Sequence, residues 1–348
     1  MVQHYTDTVN KTPLYFVIGK ERSGTTLLQV MLNTHPNIVA PPESCFIMLL
    51  YLKYGSKVSW SEKDVNAFCN DLFKEDIFRD YWGIDKDKLC SDLIQVRDAL
   101  NYSLLCKIVF SHFAKENKNV SVYIDKNPIY YYFINDLKKI FPDAKFIHIV
   151  RDYRANIVSQ RKVSATFFNI ADMAYRWLKV HQLIEKAKSK MPEQWITIKY
   201  ESLVTDAKQV MQELCIFLNV PFNENIVEAH NTKLFPSFYE NINKDAFKKF
   251  HSSVFQPVNS SFIDDWKKTM TKKEQLVAET ITGEYADKVY GYKRAFEKRE
   301  LGINLTRMMI VKLKYFIASV YFSTSLKHRS TFFLHKYIIR HIVRLFNR

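Results

Sequence analysis

Two glycines, Gly19 and Gly24, bracket Lys20-Glu21-Arg22-Ser23 and are followed by Thr25-Thr26. The run before them, Tyr15-Phe16-Val17-Ile18, is apolar and β-prone, and after them Leu27, Leu28, Met31 and Leu32 fall at helical spacing. Residues 15–32 therefore predict a strand, a tight loop and a helix. Such a loop is an anion site, because its backbone N–H groups point inward and the helix dipole adds positive potential. Arg22 supplies a fixed positive charge, and Ser23, Thr25 and Thr26 supply hydroxyl donors around Gly24. The spacing follows the phosphate-binding pattern G-x-x-x-x-G-K-[ST], but Thr25 stands where that pattern has lysine. The loop suits a 5'-phosphate or a phosphosulfate, and the missing lysine argues against ATP or GTP hydrolysis. A plain βα turn is the bland alternative; Arg, Ser, Gly and two Thr at one helix N-terminus weigh against it.

A second group is Arg151 and Ser159, in RDYRANIVS. Arg151 closes a predicted strand and Ser159 lies in the next helix. A guanidinium and a hydroxyl so spaced can converge on one anion, and the arginine fork suits a phosphate dianion. Taken alone, the pair reads more readily as an ordinary Arg151–Asp152 contact with Ser159 exposed. Lys126, in Asp125-Lys126-Asn127-Pro128, is a third candidate, again at a predicted strand end.

The positioning elements follow from pattern. Strands are predicted at residues 15–18, 121–125, 145–150 and 195–199, with helices at 25–32, 130–140, from about 154, at 204–218 and at 271–290. Thr271-Lys272-Lys273-Glu274 reads as a capping box. Strands separated by helices point to a parallel sheet covered on both faces. Ligands of such sheets bind at the C-terminal ends of strands, where all three candidate groups begin. Residues 45–118 read as a helical, aromatic-rich insertion, an acceptor-side lid by expectation. The fold expected is α/β, a P-loop-like doubly wound parallel sheet flanked by helices. Residues 1–296 form one domain on this reading, and 300–348 a basic helical extension.

The bulk numbers agree with a globular chain: 348 residues, 47% hydrophobic and 25% charged. The formal net charge of +15 is unusual, and its source is local. After Glu300 there are nine Lys or Arg and no acidic residue; Lys336, Arg340, Arg344 and Arg348 recur every four positions among Phe333, Ile338, Ile342, Leu345 and Phe346. That is the composition of an interfacial membrane helix. A helix packed back on the domain with its charges solvated fits equally. No basic-aromatic stripe in the core domain points to nucleic acid. Five cysteines without a C-x-x-C pair read as reduced thiols in a reducing compartment, with no zinc site. The N-terminus has no apolar signal region, and no uncharged run is long enough to span a membrane.

GKERSGTTLL, DKNP and VRDYRANIVS, in this order, resemble the two nucleotide-binding motifs and the lysine motif of sulfotransferases that use 3'-phosphoadenosine-5'-phosphosulfate (PAPS). The likeness is greatest to the branch that holds tyrosylprotein sulfotransferases and many bacterial enzymes, where RSGTTLLQVMLNTHPNIVAPPES matches without a gap. It covers residues 14–44 and 120–222 well, 250–295 loosely, and 45–118 and 300–348 not at all. The resemblance implies that Arg22, Ser23, Gly24, Thr25 and Thr26 hold the 5'-phosphosulfate, that Arg151 and Ser159 hold the 3'-phosphate, and that Tyr200 lies near the nucleotide. It implies that Lys126 contacts the bridging oxygen and that Glu43, 21 residues after Arg22, is the base. Glu43 also reads as a helix cap with Ser44. Pro41-Pro42 replace the glycine and acid of the tyrosylprotein branch. The cytosolic branch uses a histidine, for which His112 is a candidate without spacing support; that branch's C-terminal G-x-x-G-x-x-K element is absent. Ser252 or Ser253 match too loosely to assign one.

The expected function is sulfuryl transfer from PAPS to an acceptor hydroxyl of a glycan, lipid or tyrosine, with no metal. The rival readings are a membrane-surface nucleotide-binding or scaffold protein and a small-molecule kinase. The expected location is cytoplasmic, peripheral on the inner face of a membrane if the tail binds it.

Overall fold

Leu14–Gly19 is buried at all six positions, the pattern of a strand covered on both faces rather than one with a wet side. It is the middle strand of the sheet. The computed structural model describes residues 2–113, 119–164, 169–227, 260, 262–297 and 313. In chain order its elements begin with helix α1 (Val2–Lys11), strand β1 (Leu14–Gly19), α2 (Thr25–Asn33) and the short β2 (Ile38–Val39). Five helices follow: α3 (Phe46–Tyr54), α4 (Glu62–Leu72), α5 (Asp76–Tyr81), α6 (Lys86–Gln95) and α7 (Tyr102–Phe113). Then come β3 (Val122–Lys126), α8 (Ile134–Ile140), β4 (Phe146–Val150), α9 (Tyr153–Ser164), α10 (Ile170–Lys188) and β5 (Trp195–Lys199). The helices α11 (Tyr200–Thr205), α12 (Ala207–Leu218), Asp265–Thr269 and Lys272–Tyr290 complete the described chain.

The sheet order is β2-β3-β1-β4-β5. β1 pairs in parallel with β3, Phe16 opposite Asp125, and with β4, Ile18 opposite His148. The expected α/β architecture, a parallel sheet flanked by helices, is what forms. The described chain divides into two compact units. The first takes in residues up to 19, 24–149 and 187–258; the second takes in 20–23, 150–186 and the chain from 259 onward.

In the first unit the expected helical insertion is α3 to α7. Ser61 caps α4 in a capping box with Asp64. Its core is aromatic: Phe46 meets Phe78 and Trp82, each at 5.7 Å between ring centres, and Trp82 meets Phe110 at 5.1 Å. Cys69 on α4 and Cys90 on α6 form a disulfide, which corrects the expectation of five reduced thiols. Sequence spacing hid the pair, since only helix packing brings residues 21 apart together. Cys45, Cys106 and Cys215 are free. In the second unit Val150, Tyr153, Ile157, Trp177, Trp266, Ala278 and Tyr290 share one core.

Three local expectations change. Residues 130–140 begin as a 3-10 turn (Pro128–Tyr132), and α8 starts only at Ile134. The helix expected over 204–218 is two, broken at Asp206, whose side chain accepts from the Gln209 N–H and caps α12. The edge strand β2 and helices α1 and α10 were not expected. The capping box of Thr271 and Glu274 forms as expected, and Gly291 ends that helix at φ 72°. The loop over 250–259, with Ser252 and Ser253, and the basic tail over 300–348 fall outside the described residues, apart from position 313.

Candidate active site

The candidate residues divide between the two units, and each set has its own geometry. In the second unit Arg22 sits at φ 68°, one of two non-glycine residues at positive φ among those described. A side chain held left-handed costs about 1–2 kcal/mol, so the surrounding structure must impose it. Asn156 on α9 does part of this, donating from Nδ2 to the Glu21 carbonyl at 2.8 Å and to Ser23 Oγ at 3.1 Å. Ser23 is fully buried. Burial alone would raise the Glu21 carboxyl, but Lys20 and Arg176 outweigh it and hold it down at about 2.

Arg22 Nε donates to Ser159 Oγ at 3.3 Å. Arg151 donates from one Nη to the Arg22 carbonyl at 3.2 Å and from the other to the Phe262 carbonyl at 2.8 Å. The Arg151 carbonyl accepts from Trp177 Nε1 at 3.0 Å, fixing the strand end. Burial and then the neighbouring Arg151 charge lower the Arg22 guanidinium's affinity for its proton. Two cations and a hydroxyl thus converge, which is the arrangement a dianion relieves. Asp152 is directed at Arg154 instead: Oδ2 lies 2.7 Å from Arg154 Nη2, and Oδ1 accepts from the Arg154 N–H at the start of α9.

In the first unit α2 opens at Gly24, φ 93°, with no side-chain cap on its N-terminus. The amides beginning at Thr25 and Thr26 are left for an anion. A Cβ at Gly24 would lie 2.5 Å from the Tyr200 ring. Tyr200 therefore packs on the loop's glycine, and both the positive φ and this close approach require glycine there. At the end of β3 the buried Lys126 donates from Nζ to Glu43 Oε2 at 2.8 Å. The two residues expected to act at opposite ends of the transfer are paired with each other. His112, the alternative base, lies instead on α7 with Asp92 of α6 at 3.2 Å.

Sequence reasoning missed Asn156, although it lies in the same motif as Ser159 and one helical turn before it, on the same face. It also missed Asn127, whose Nδ2 donates to the Ser44 carbonyl at 2.9 Å.

A model of the sulfotransferase family matches residues 13–224. Protein-tyrosine sulfotransferase 1 of Danio rerio is 27% identical over 259 residues, covering 73% of this chain and 65% of its own length. Protein-tyrosine sulfotransferase A of Caenorhabditis elegans is 26% identical over 282 residues, covering 78% of this chain and 66% of its own. This chain thus spans about two-thirds of the length of these relatives. Among solved structures, the sulfotransferase domain from the Synechococcus PCC 7002 olefin synthase covers 79% of this chain and 94% of its own, at 22% identity and a TM-score of 0.51. That likeness speaks to the fold, and the match over 13–224 decides the family: the chain belongs to the sulfotransferases.

Proposed function

We propose that the chain transfers a sulfuryl group from PAPS to an acceptor hydroxyl, with tyrosine the first acceptor to try because the curated relatives are named for it. The observation that carries this reading is the left-handed Arg22, hydrogen-bonded to Ser159 and adjoined by Arg151. PAPS supplies the activated sulfuryl group and a leaving nucleotide that carries an additional 3'-phosphate. Arg151 and Ser159 grip that phosphate. Arg22, Ser23, Gly24, Thr25 and Thr26 hold the phosphosulfate through side chains and the amides at the start of α2. Lys126 neutralises the charge that develops on the departing oxygen. Glu43 accepts the proton of the incoming hydroxyl, which makes it nucleophilic as the bond to sulfur forms.

The test follows radiolabelled sulfate from PAPS into a synthetic acidic peptide with one tyrosine, and into glycan and lipid hydroxyls alongside. Transfer is expected, and Glu43→Gln lowers turnover by about 10²–10⁴-fold while leaving nucleotide affinity intact. Absence of transfer to every acceptor, together with magnesium-dependent ATP turnover, would favour the kinase reading.

The basic tail supports a second proposal, that the protein sits peripherally on an anionic membrane face, the cytoplasmic one by its charge. Flotation with phosphatidylserine vesicles, retained by the full chain and lost by residues 1–300, is the expected result; equal flotation of both discards the proposal. Recovery of an intact Cys69–Cys90 bond under rapid alkylation would argue for an oxidising compartment instead.

A further inference from the structure

Glu43 stands in a segment with no regular structure. Residues 40–45 run between β2 and α3, and Pro41 and Pro42 have no N–H to donate. Polar backbone in such a buried turn needs partners from elsewhere, and here side chains provide them. The Ala40 N–H donates to Asn33 Oδ1 at 3.2 Å. Gln29 Nε2 donates to the carbonyls of Ala40 and Pro41. On either side of Glu43 the clamps come from other elements. The Pro42 carbonyl accepts from Trp82 Nε1 at 3.1 Å, and the Ser44 carbonyl accepts from Asn127 Nδ2. Ser44 Oγ, itself buried, donates to Glu75 Oε2 at 2.9 Å. The same Glu75 carboxylate accepts from the Phe78 N–H and caps α5.

Trp82 and Glu75 belong to the helical insertion, and Trp82 is packed into its aromatic core. Trp82 is 3% exposed and sits among Phe46, Phe78, Phe110 and Phe113. Asn127 follows Lys126 directly, so one short segment of chain both supplies the lysine and fixes the turn that carries its partner.

We propose that Trp82 and Glu75 are positioning residues for Glu43, so that the insertion sets the geometry of proton removal as well as flanking the acceptor. The inference rests on the reading of Glu43 as the base. Misplacing a reacting group by about 1 Å can cost on the order of 10²-fold, so losing one of several clamps should cost less than that.

Trp82→Phe keeps the ring and removes the N–H; Ser44→Ala removes the hydroxyl that Glu75 holds. Turnover is measured from radiolabelled PAPS, both into the tyrosine peptide and as sulfate released to water, a readout that needs no particular acceptor. Each variant should lower kcat roughly 10-fold, with KM for PAPS and affinity for adenosine 3',5'-bisphosphate unchanged, and Ser44→Thr should restore most of the loss. In a Glu43→Gln background Trp82→Phe should have no further effect, because it acts through Glu43. Parental kcat in both single variants, or an equal drop with and without Glu43, overturns the positioning role and leaves the base standing. Parental turnover in Glu43→Gln alone overturns the base reading, and the positioning role with it.

Discussion

Two charged clusters in the second unit differ in a way that separates structure from function. Around Glu279 the chain sets cation against carboxylate. Arg154 faces Asp152 at 2.7 Å and Glu279 at 3.9 Å, Arg294 lies 3.7 Å from Glu279, and the N–H groups of Ala295 and Phe296 donate to the same carboxylate at 2.9 Å each. Around Arg22 the chain sets cation beside cation, with Ser159 and backbone carbonyls between them. The first arrangement pairs two cations with two carboxylates. The second holds like charge together in a partly dry setting, where Coulomb repulsion is stronger than in water, and an anion converts that repulsion into attraction. A basic pair held by the fold is therefore informative about function in a way that a balanced network of the same residue types is not.

Variants sharpen this contrast. Glu279→Ala should have the largest effect. It removes a fully buried carboxylate that caps the chain at 295–296, and breaking such a network typically costs about 3–5 kcal/mol. The lower end is expected here, because Asp152 stays on Arg154. Thermal or urea unfolding should show that loss, while the folded fraction keeps its nucleotide affinity; a change below about 1 kcal/mol would place the network outside the stability account. Arg151→Ala should cost less stability than Glu279→Ala, through the Arg22 and Phe262 carbonyls that lose their donor, while removing charge-assisted bonds worth about 1.5–3 kcal/mol each to an anion. Arg22→Gly should give the smallest effect on stability, and in the opposite direction. It relieves a left-handed side chain, for a gain of up to about 1 kcal/mol, and loses phosphate affinity at the same time. A destabilised Arg22→Gly would mean that the arginine serves the fold.

Much of the Arg22 cluster was legible in the sequence, and the Glu279 cluster hardly at all. Gly19 to Thr26, Lys126 and RDYRANIVS are short local patterns that each begin at a strand end, where ligands of parallel sheets bind. The strand segments at 15–18 and 145–150 were legible because strands buried on both faces read as apolar runs. By contrast Ile38-Val39 is too short to carry a periodic signal. Glu279 is one acid in a polar helix, and nothing local marks it as the partner of Arg154, 125 positions earlier. The same holds for Trp82 on the Pro42 carbonyl and for Cys69 with Cys90. These depend on how helices of the insertion pack, which periodicity constrains only weakly. Asp152 shows the reverse failing: its position next to Arg151 suggests a pair, yet the turn into α9 directs it to Arg154.

The central claim is that Arg22, Arg151 and Ser159 form a site for a nucleotide with a 3'-phosphate. Calorimetric titration with adenosine 3',5'-bisphosphate, with ATP and ADP as controls, tests it most directly. The account predicts selective binding of the bisphosphate, weakened at least about 10-fold in an Arg151→Ala variant that is still folded at the temperature of the titration. Equal affinity for all three nucleotides, or parental affinity in Arg151→Ala, would contradict it.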